Sequence, residues 1–399
     1  MVHPLKTHSP LIWVNLAGFF YAIAGGAMWF ILPIFASVKF GADLILVSIL
    51  IAIPYFGSLV FDLPMGTLSD YIGRKKSIIA GLVLLAPLGL FLPYVGSLEM
   101  FIIFTIVFGL LSTLVLPVAR ALIMDLCPPK KAAEYFGITL GLITLGAAIG
   151  PLGAGMLLEN SFDAGLSDVM LLYVICGLVA IVPLLFVKET VKVRQSMSSG
   201  LKKVTKQGLF LPAIKEFGAL KRMGLMVVYV TLILTIIDSI IWTYEPLIYG
   251  EKGLSASFVG SLLFVFTFSL VIFQILGGFI AERLGKMRVL MIGLVLAGVF
   301  MALFSFQTDE TMLMLTALLT SLGLALAWPA VSGVITEISV NRQRGSIAGV
   351  WNFFMDLAYL IGPVMGGVIA AFSTGVSTIF LVMGGLLIVS ALPLFVMKE

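Results

Sequence analysis

GTLSDYIGRKKS, residues Gly66 to Ser77, is a polar knot in an otherwise apolar neighbourhood. It holds Asp70, the cations Arg74, Lys75 and Lys76, and glycines at 66 and 73, with long hydrophobic runs on both sides. What such a knot means depends on the solvent its flanks require. The chain of 399 residues is 60% hydrophobic and 11% charged, whereas a soluble globular domain carries about 25% charged residues. Most of this chain therefore cannot face water. In lipid, only helices and closed barrels satisfy their own backbone polar groups. The apolar runs are continuous rather than alternating, which excludes a barrel. The reading is an all-α integral membrane protein.

Each crossing takes roughly 20 apolar residues. Twelve runs qualify: residues 11–37, 43–69, 76–96, 100–125, 134–158, 168–187, 223–249, 254–281, 288–306, 311–337, 344–371 and 377–397. The first is too long for a signal-peptide core and no small-residue cleavage site follows it, so it is expected to remain as span one. Lys and Arg favour cytoplasmic loops. With the N-terminus in the cytoplasm, 21 of the 24 cations fall on that side, Lys39 and Lys252 fall on the other, and Arg120 lies inside a span. Both termini are thus expected in the cytoplasm of a multi-pass protein of the cell (inner) membrane. The net charge of +4 is this topological bias, and no nucleic-acid partner is expected. Cys127 and Cys176 make no disulfide framework.

The longest polar segment, residues 188–222, separates six spans from six. It reads as a cytoplasmic linker whose second part, LFLPAIKEFGALKRM, is either solvated or a short helix on the anionic membrane surface. The halves on either side, 1–187 and 223–399, repeat one another at an offset of 212 residues. Asp70, Gly73, Arg74 and Lys76 fall on Glu282, Gly285, Lys286 and Arg288. At the same offset, Pro117 falls on Pro329, Asp125 on Glu337, Gly150-Pro151 on Gly362-Pro363, and Gly155 on Gly367. Shared displacement across separate spans implies two pseudo-symmetric six-helix bundles. Transporters built from such parallel repeats hold substrate near the bilayer midplane.

On these residues the chain resembles the major facilitator superfamily over essentially its whole length. The loop after span two is similar to that family's signature, through Gly66, Leu68, Asp70, Gly73, Arg74 and Lys75. Span five, GITLGLITLGAAIGPLGAG, resembles the motif of the 12-span drug–proton antiporters at Gly137, Gly146, Gly150, Pro151 and Gly155, with Ala154 replacing one glycine. The resemblance implies the major facilitator fold, alternating access, and export rather than uptake. One departure stands out. Where those antiporters carry an arginine in span four, this chain has Thr105.

Three groups of residues follow as candidates. Asp70, Arg74 and Asp125, with Gly66, Gly73 and Lys75, form the latch that the resemblance implies on the cytoplasmic side. Glu282, Lys286 and Glu337 are its equivalents in the second half. Asp238 and Asp356 lie deep in spans seven and eleven, where ionisable groups are costly and mark function. No cation lies near them in sequence, so each is a candidate to take up and release protons; the alternative is a structural acid bonded to nearby hydroxyls. Asp62 and Arg120 form an intramembrane pair, and Glu245, near the outer end of span seven, is expected to be wetted. The glycine faces of span five and of span eleven, at Gly362 and Pro363, allow close helix approach and bending. Tyr55, Trp242, Tyr244, Gln274, Trp328, Asn352 and Tyr359 are the expected cavity lining.

No P-loop or zinc-binding motif is present, and His3 and His8 are the only histidines. No enzyme activity, metal or cofactor is expected, and the coupling ion is expected to be H⁺. The function that follows is proton-coupled export of amphipathic or hydrophobic small molecules by a monomer in the lipid bilayer. Transport of a defined neutral or lipid-like cargo, such as a sugar, an amino-acid derivative or a lipid, stays open, as does a non-transporting membrane sensor.

Overall fold

The computed structural model describes residues 5–127, 132–159, 161–191, 222–339, 344–372 and 375–396; within them, side chains are described except at 5–9, 63, 67, 132–136, 222–223, 332–339, 344–350, 352 and 395–396. Glu337 and Asn352 as side chains, and linker residues 192–221, thus lie outside the described residues.

Among the described residues there are helices and no strands. Twelve helices are long and apolar enough to cross a membrane. Spans one to six are Pro10–Phe40, Leu44–Asp62, Arg74–Tyr94, Leu98–Leu126, Gly137–Leu157 and Phe162–Leu185. Spans seven to twelve are Gly224–Lys252, Ala256–Leu284, Lys286–Phe306, Glu310–Val331, Phe353–Ala371 and Val376–Leu394. Start signals are local. Ser97, Ser161 and Ser255 accept from Met100, Ala164 and Phe258 N–H, and Asp43 and Asp309 accept from Leu46 and Met312 N–H. Each satisfies an amide that the first helical turn would leave unpaired.

The repeat is visible in the backbone. The helix of span two runs Leu44–Ile72 and that of span eight Ala256–Leu284. Both stop at a glycine of positive φ, Gly73 (φ 107, ψ 133) and Gly285 (φ 93, ψ 128), and the next helix begins at once. Side chains rarely adopt this conformation, so the two glycines are demanded by the sharp turn between consecutive spans. The repeat is imperfect at the prolines. Span four breaks at residues 113–115 before Pro117, whereas the helix Glu310–Ser339 runs unbroken through Pro329.

The chain forms two compact units. One comprises Met1–Trp29 with Ile53–Leu209, and the other Phe30–Ala52 with Phe210–Glu399. The first is centred on side chains such as Leu82, Leu92, Phe101, Val118 and Leu122. The second is centred on Val259, Leu262, Leu263, Phe266 and Tyr244, with Phe30, Ile31, Leu32 and Phe35. Lipid offers apolar side chains no gain on burial, so helices hold together by close approach. In the second unit a Cβ on Gly298 would lie 2.6 Å from the Gly384 carbonyl oxygen, so spans nine and twelve meet backbone to backbone. Leu84, Phe91, Ile103, Ile275 and Phe306 are among the large apolar side chains left exposed, as a lipid-facing surface requires.

Candidate functional site

In the first unit the polar knot forms a compact charged cluster. Asp70 sits on the last turn of its helix, and Arg74 follows the Gly73 break. Arg74 Nη2 lies 3.1 Å from Asp70 Oδ1, and its Nε lies 2.8 Å from Asp125 Oδ2. The Nε–H is not directed at an acceptor, so the second contact is a charge pairing rather than an aligned hydrogen bond. The ion pair therefore forms across a broken helix and not, as its spacing suggests, within a continuous one.

Two members of this cluster were not legible in the sequence. Glu189, just beyond span six, accepts from the Arg74 N–H at 2.9 Å and from the Lys75 and Lys76 N–H groups at 3.4 Å. A carboxylate at a helix N-terminus meets unpaired amides and the positive end of the helix dipole. Thr190 Oγ1 donates to Asp125 Oδ2 at 2.8 Å. Lys75 Nζ donates to the Val187 and Leu185 carbonyls at 2.7 and 3.1 Å. The signature loop is thus built around the end of span six. Its glycine is also needed for space, because a Cβ at Gly73 would stand 2.5 Å from Glu189 Oε2. Among the described residues, the second half shares the turn but not this plug. A Cβ at Gly285 meets nothing within 4 Å, Glu282 is exposed and Lys286 half-buried. Gly66 likewise has nothing within 4 Å of a built Cβ.

In the second unit, spans seven and eleven are joined by a ladder of polar contacts. Trp351 Nε1 donates to Thr231 Oγ1 at 3.0 Å, Tyr359 Oη to Asp238 Oδ2 at 2.8 Å, and Tyr244 Oη to the Pro363 carbonyl at 2.7 Å. Ser239 Oγ donates to the Tyr359 carbonyl at 3.0 Å. That carbonyl lies four residues before Pro363, which has no N–H to give it. A serine of span seven thereby satisfies the acceptor that the proline of span eleven leaves unpaired. Gly362 faces Ser239, with a built Cβ 2.8 Å from its Cβ, and Gly366 lies under the Tyr244 ring. The glycine–proline pattern of span eleven is therefore the socket for span seven. Asp356 is half-buried one turn before Tyr359.

Two expectations need correction. Tyr244 is not a cavity wall: it is 0% exposed and its hydroxyl is used by Pro363. Glu245 is not wetted: it is 3% exposed, and its Oε1 has no hydrogen-bond partner. Tyr244 is the last residue of the regular helix Arg222–Tyr244, and Glu245 opens the short 3₁₀ turn Glu245–Leu247 that follows it. Trp242, Gln274, Trp328 and Tyr359 are half-buried.

The first unit contributes an aromatic group in which Tyr55, named from the sequence, is joined by Trp29 and Phe108, which were not. Tyr55 stacks on Trp29, with centroids 4.5 Å apart and planes 11° apart, and Phe108 meets Trp29 edge-on at 5.7 Å. Asp62 and Arg120 are half-buried on spans two and four. Gly146 and Gly150 of span five press on the backbone of span one at Phe19, Ile23 and Gly26, and Pro151 lies beside Gly26. Gly155 is buried, whereas Gly137 has open space where a Cβ would be. Thr105 is 0% exposed and gives its hydroxyl to the Ile102 carbonyl at 2.9 Å, so no cation occupies that place in span four.

The fold agrees with comparison to known proteins. The family model of the Major Facilitator Superfamily matches residues 14–244 and 227–399. The chain belongs to the major facilitator superfamily, and it is a multi-pass membrane transporter of small molecules rather than an enzyme. It is 23% identical over 316 residues to an uncharacterised MFS-type transporter of Methanocaldococcus jannaschii, covering 78% of each chain. It is 30% identical over 128 residues to the quinolone resistance protein NorA of Staphylococcus aureus, a match spanning 32% of this chain and 33% of NorA. Among solved structures, the nucleoside transporter NupG superposes with a TM-score of 0.77 at 15% identity, covering 98% of this chain and 100% of that one. A D-xylose–proton symporter gives 0.75 at 17% identity, covering 97% of each. These two likenesses establish the fold.

Proposed function

We propose that the protein is a proton-coupled exporter of amphipathic or hydrophobic small molecules. It works by alternating access as a monomer in the cell membrane, with both termini cytoplasmic and two halves, 1–187 and 223–399, joined by 188–222. The observation that carries this reading is the bond from Tyr359 to Asp238, 2.8 Å long, between spans seven and eleven. Asp238 lies near the middle of Gly224–Lys252, where a carboxyl is expensive and marks an ion path. An ionised carboxylate only accepts hydrogen bonds, whereas a protonated one also donates. A proton arriving at Asp238 therefore changes how span seven holds span eleven beside Pro363. Asp356, on span eleven, is the second candidate carrier.

The remaining parts fit this cycle. The Asp70–Arg74–Asp125 cluster is the latch of the cytoplasmic side, and the half-exposed Trp29–Tyr55 stack offers a flat apolar surface for a planar ligand. The partial likeness to a quinolone resistance protein supports drug-like cargo. In everted vesicles, Asp238→Asn is expected to abolish substrate uptake driven by a pH gradient while leaving membrane insertion intact; uptake at the wild-type rate removes Asp238 from the mechanism. A second reading, a defined neutral cargo, is favoured by full-length likeness to nucleoside and xylose transporters. Thermal stabilisation across a compound panel separates the two: many unrelated binders favour the exporter, one chemical class the alternative.

A further inference from the structure

Within the second unit lies a cavity of about 20 Å³ between Glu245, Phe266, Met301, Phe304, Thr320 and Phe380. Room of that size holds one water molecule. Among the described residues, Glu245 is the only acid buried to 3% exposure or less. Its Oε1 lacks a partner among the described residues, and the groups lining the cavity from spans eight, nine, ten and twelve carry no charge and do not titrate. The Thr320 hydroxyl gives its hydrogen to the Thr316 carbonyl and has only lone pairs to offer. Lys252, the nearest cation in sequence, donates to the Ser305 and Gln307 carbonyls instead. An ionised carboxylate needs donors or a counter-charge, and this site supplies neither. A neutral acid, bonded to one water, fits it.

We infer that Glu245 is a further proton carrier of the transport cycle, distinct from Asp238 and Asp356, loaded when the turn Glu245–Leu247 opens and stored in this cavity when it closes. The preceding residue, Tyr244, clamps span eleven at the Pro363 carbonyl, so release of that clamp and exposure of Glu245 are motions of one turn. On opening, the carboxylate takes a proton from a hydronium ion and leaves water; at a later opening the acid returns the proton to water. Glu245 lies about 10 Å beyond Asp238 along the helix axis and faces a different set of spans, so the two carboxyls load separately. The inference rests on the proton-coupled reading above.

The test is the proton-to-substrate ratio in proteoliposomes, read as the limiting substrate accumulation under an imposed pH gradient. Removing one coupled proton lowers that accumulation about tenfold per pH unit. Glu245→Gln is expected to keep substrate exchange and lose this factor, and Glu245→Asp to retain part of it. An unchanged ratio in Glu245→Gln overturns the inference and leaves the earlier reading standing. A wild-type protein without any substrate-linked proton movement overturns both. Infrared difference spectra of wild-type protein with labelled glutamate carboxyls give a readout that no variant's folding can obscure. A protonated glutamic acid whose band changes on substrate addition is expected, and its absence overturns the inference.

Discussion

Glu189 and Gly73 illustrate how much one contact can explain. The carboxylate caps the helix that begins at Arg74, and the glycine is both bent past the range of other residues and pressed against that carboxylate. Gly285 shares the bend without the neighbour. Gly285→Ala is therefore expected to cost only the backbone strain, about 1–3 kcal/mol. Gly73→Ala should cost more, because it also displaces Glu189 from the Arg74 amide. Thermal unfolding of the two variants in detergent checks this; equal melting temperatures would show that the Glu189 contact contributes nothing. Asp70 and Arg74 were legible at this scale because they are four residues apart. Glu189 was not, since 115 residues separate it from Arg74 and only folding places the end of span six there.

At the scale of the helix, the ladder between spans seven and eleven gives the glycines of span eleven distinct weights. Gly366 lies beneath the Tyr244 ring, and Gly137 in span five faces open space. Gly366→Ala is expected to destabilise by about 1–3 kcal/mol through overpacking, and Gly137→Ala to be neutral or slightly stabilising through better helix propensity. Fluorescence-detected melting of both variants distinguishes them, and a neutral Gly366→Ala contradicts the socket. Helix existence was readable because lipid leaves the backbone only helices or closed barrels, and these apolar runs do not alternate. Which glycines touch something was not, because a glycine in an apolar run looks the same whether it faces a neighbouring backbone, an aromatic ring or nothing. Tyr244 and Glu245 were misjudged for a related reason. Depth along a span can be counted from sequence, but which way a side chain near its end points is set by tertiary contacts such as that of Tyr244 with the Pro363 carbonyl.

For the whole molecule, the cation bias makes a prediction about sidedness. The exposed ends of span nine, near Arg283 and near Asp309, are expected on opposite faces, Arg283 cytoplasmic. In a background carrying Cys127→Ser and Cys176→Ala, Arg283→Cys should resist a membrane-impermeant maleimide in intact cells, and Asp309→Cys should react. Reaction of both from outside contradicts the topology. The two-half repeat rests on the same scale of reasoning, and its strongest structural trace is the matched pair of positive-φ glycines rather than any matched set of charges.

The amino-acid order alone determined that this chain lives in lipid, that it crosses twelve times, and that its halves repeat. Hydrophobic length, backbone self-satisfaction and a constant offset are properties of local sequence, independent of who packs on whom. Tertiary structure decided the rest. It brought Glu189 to Arg74, paired Ser239 with the carbonyl that Pro363 leaves vacant, joined Tyr359 to Asp238, and set Glu245 beside a small, largely apolar cavity. Each of these depends on contacts between residues far apart in the chain, where close approach of helices assigns partners that no spacing rule specifies.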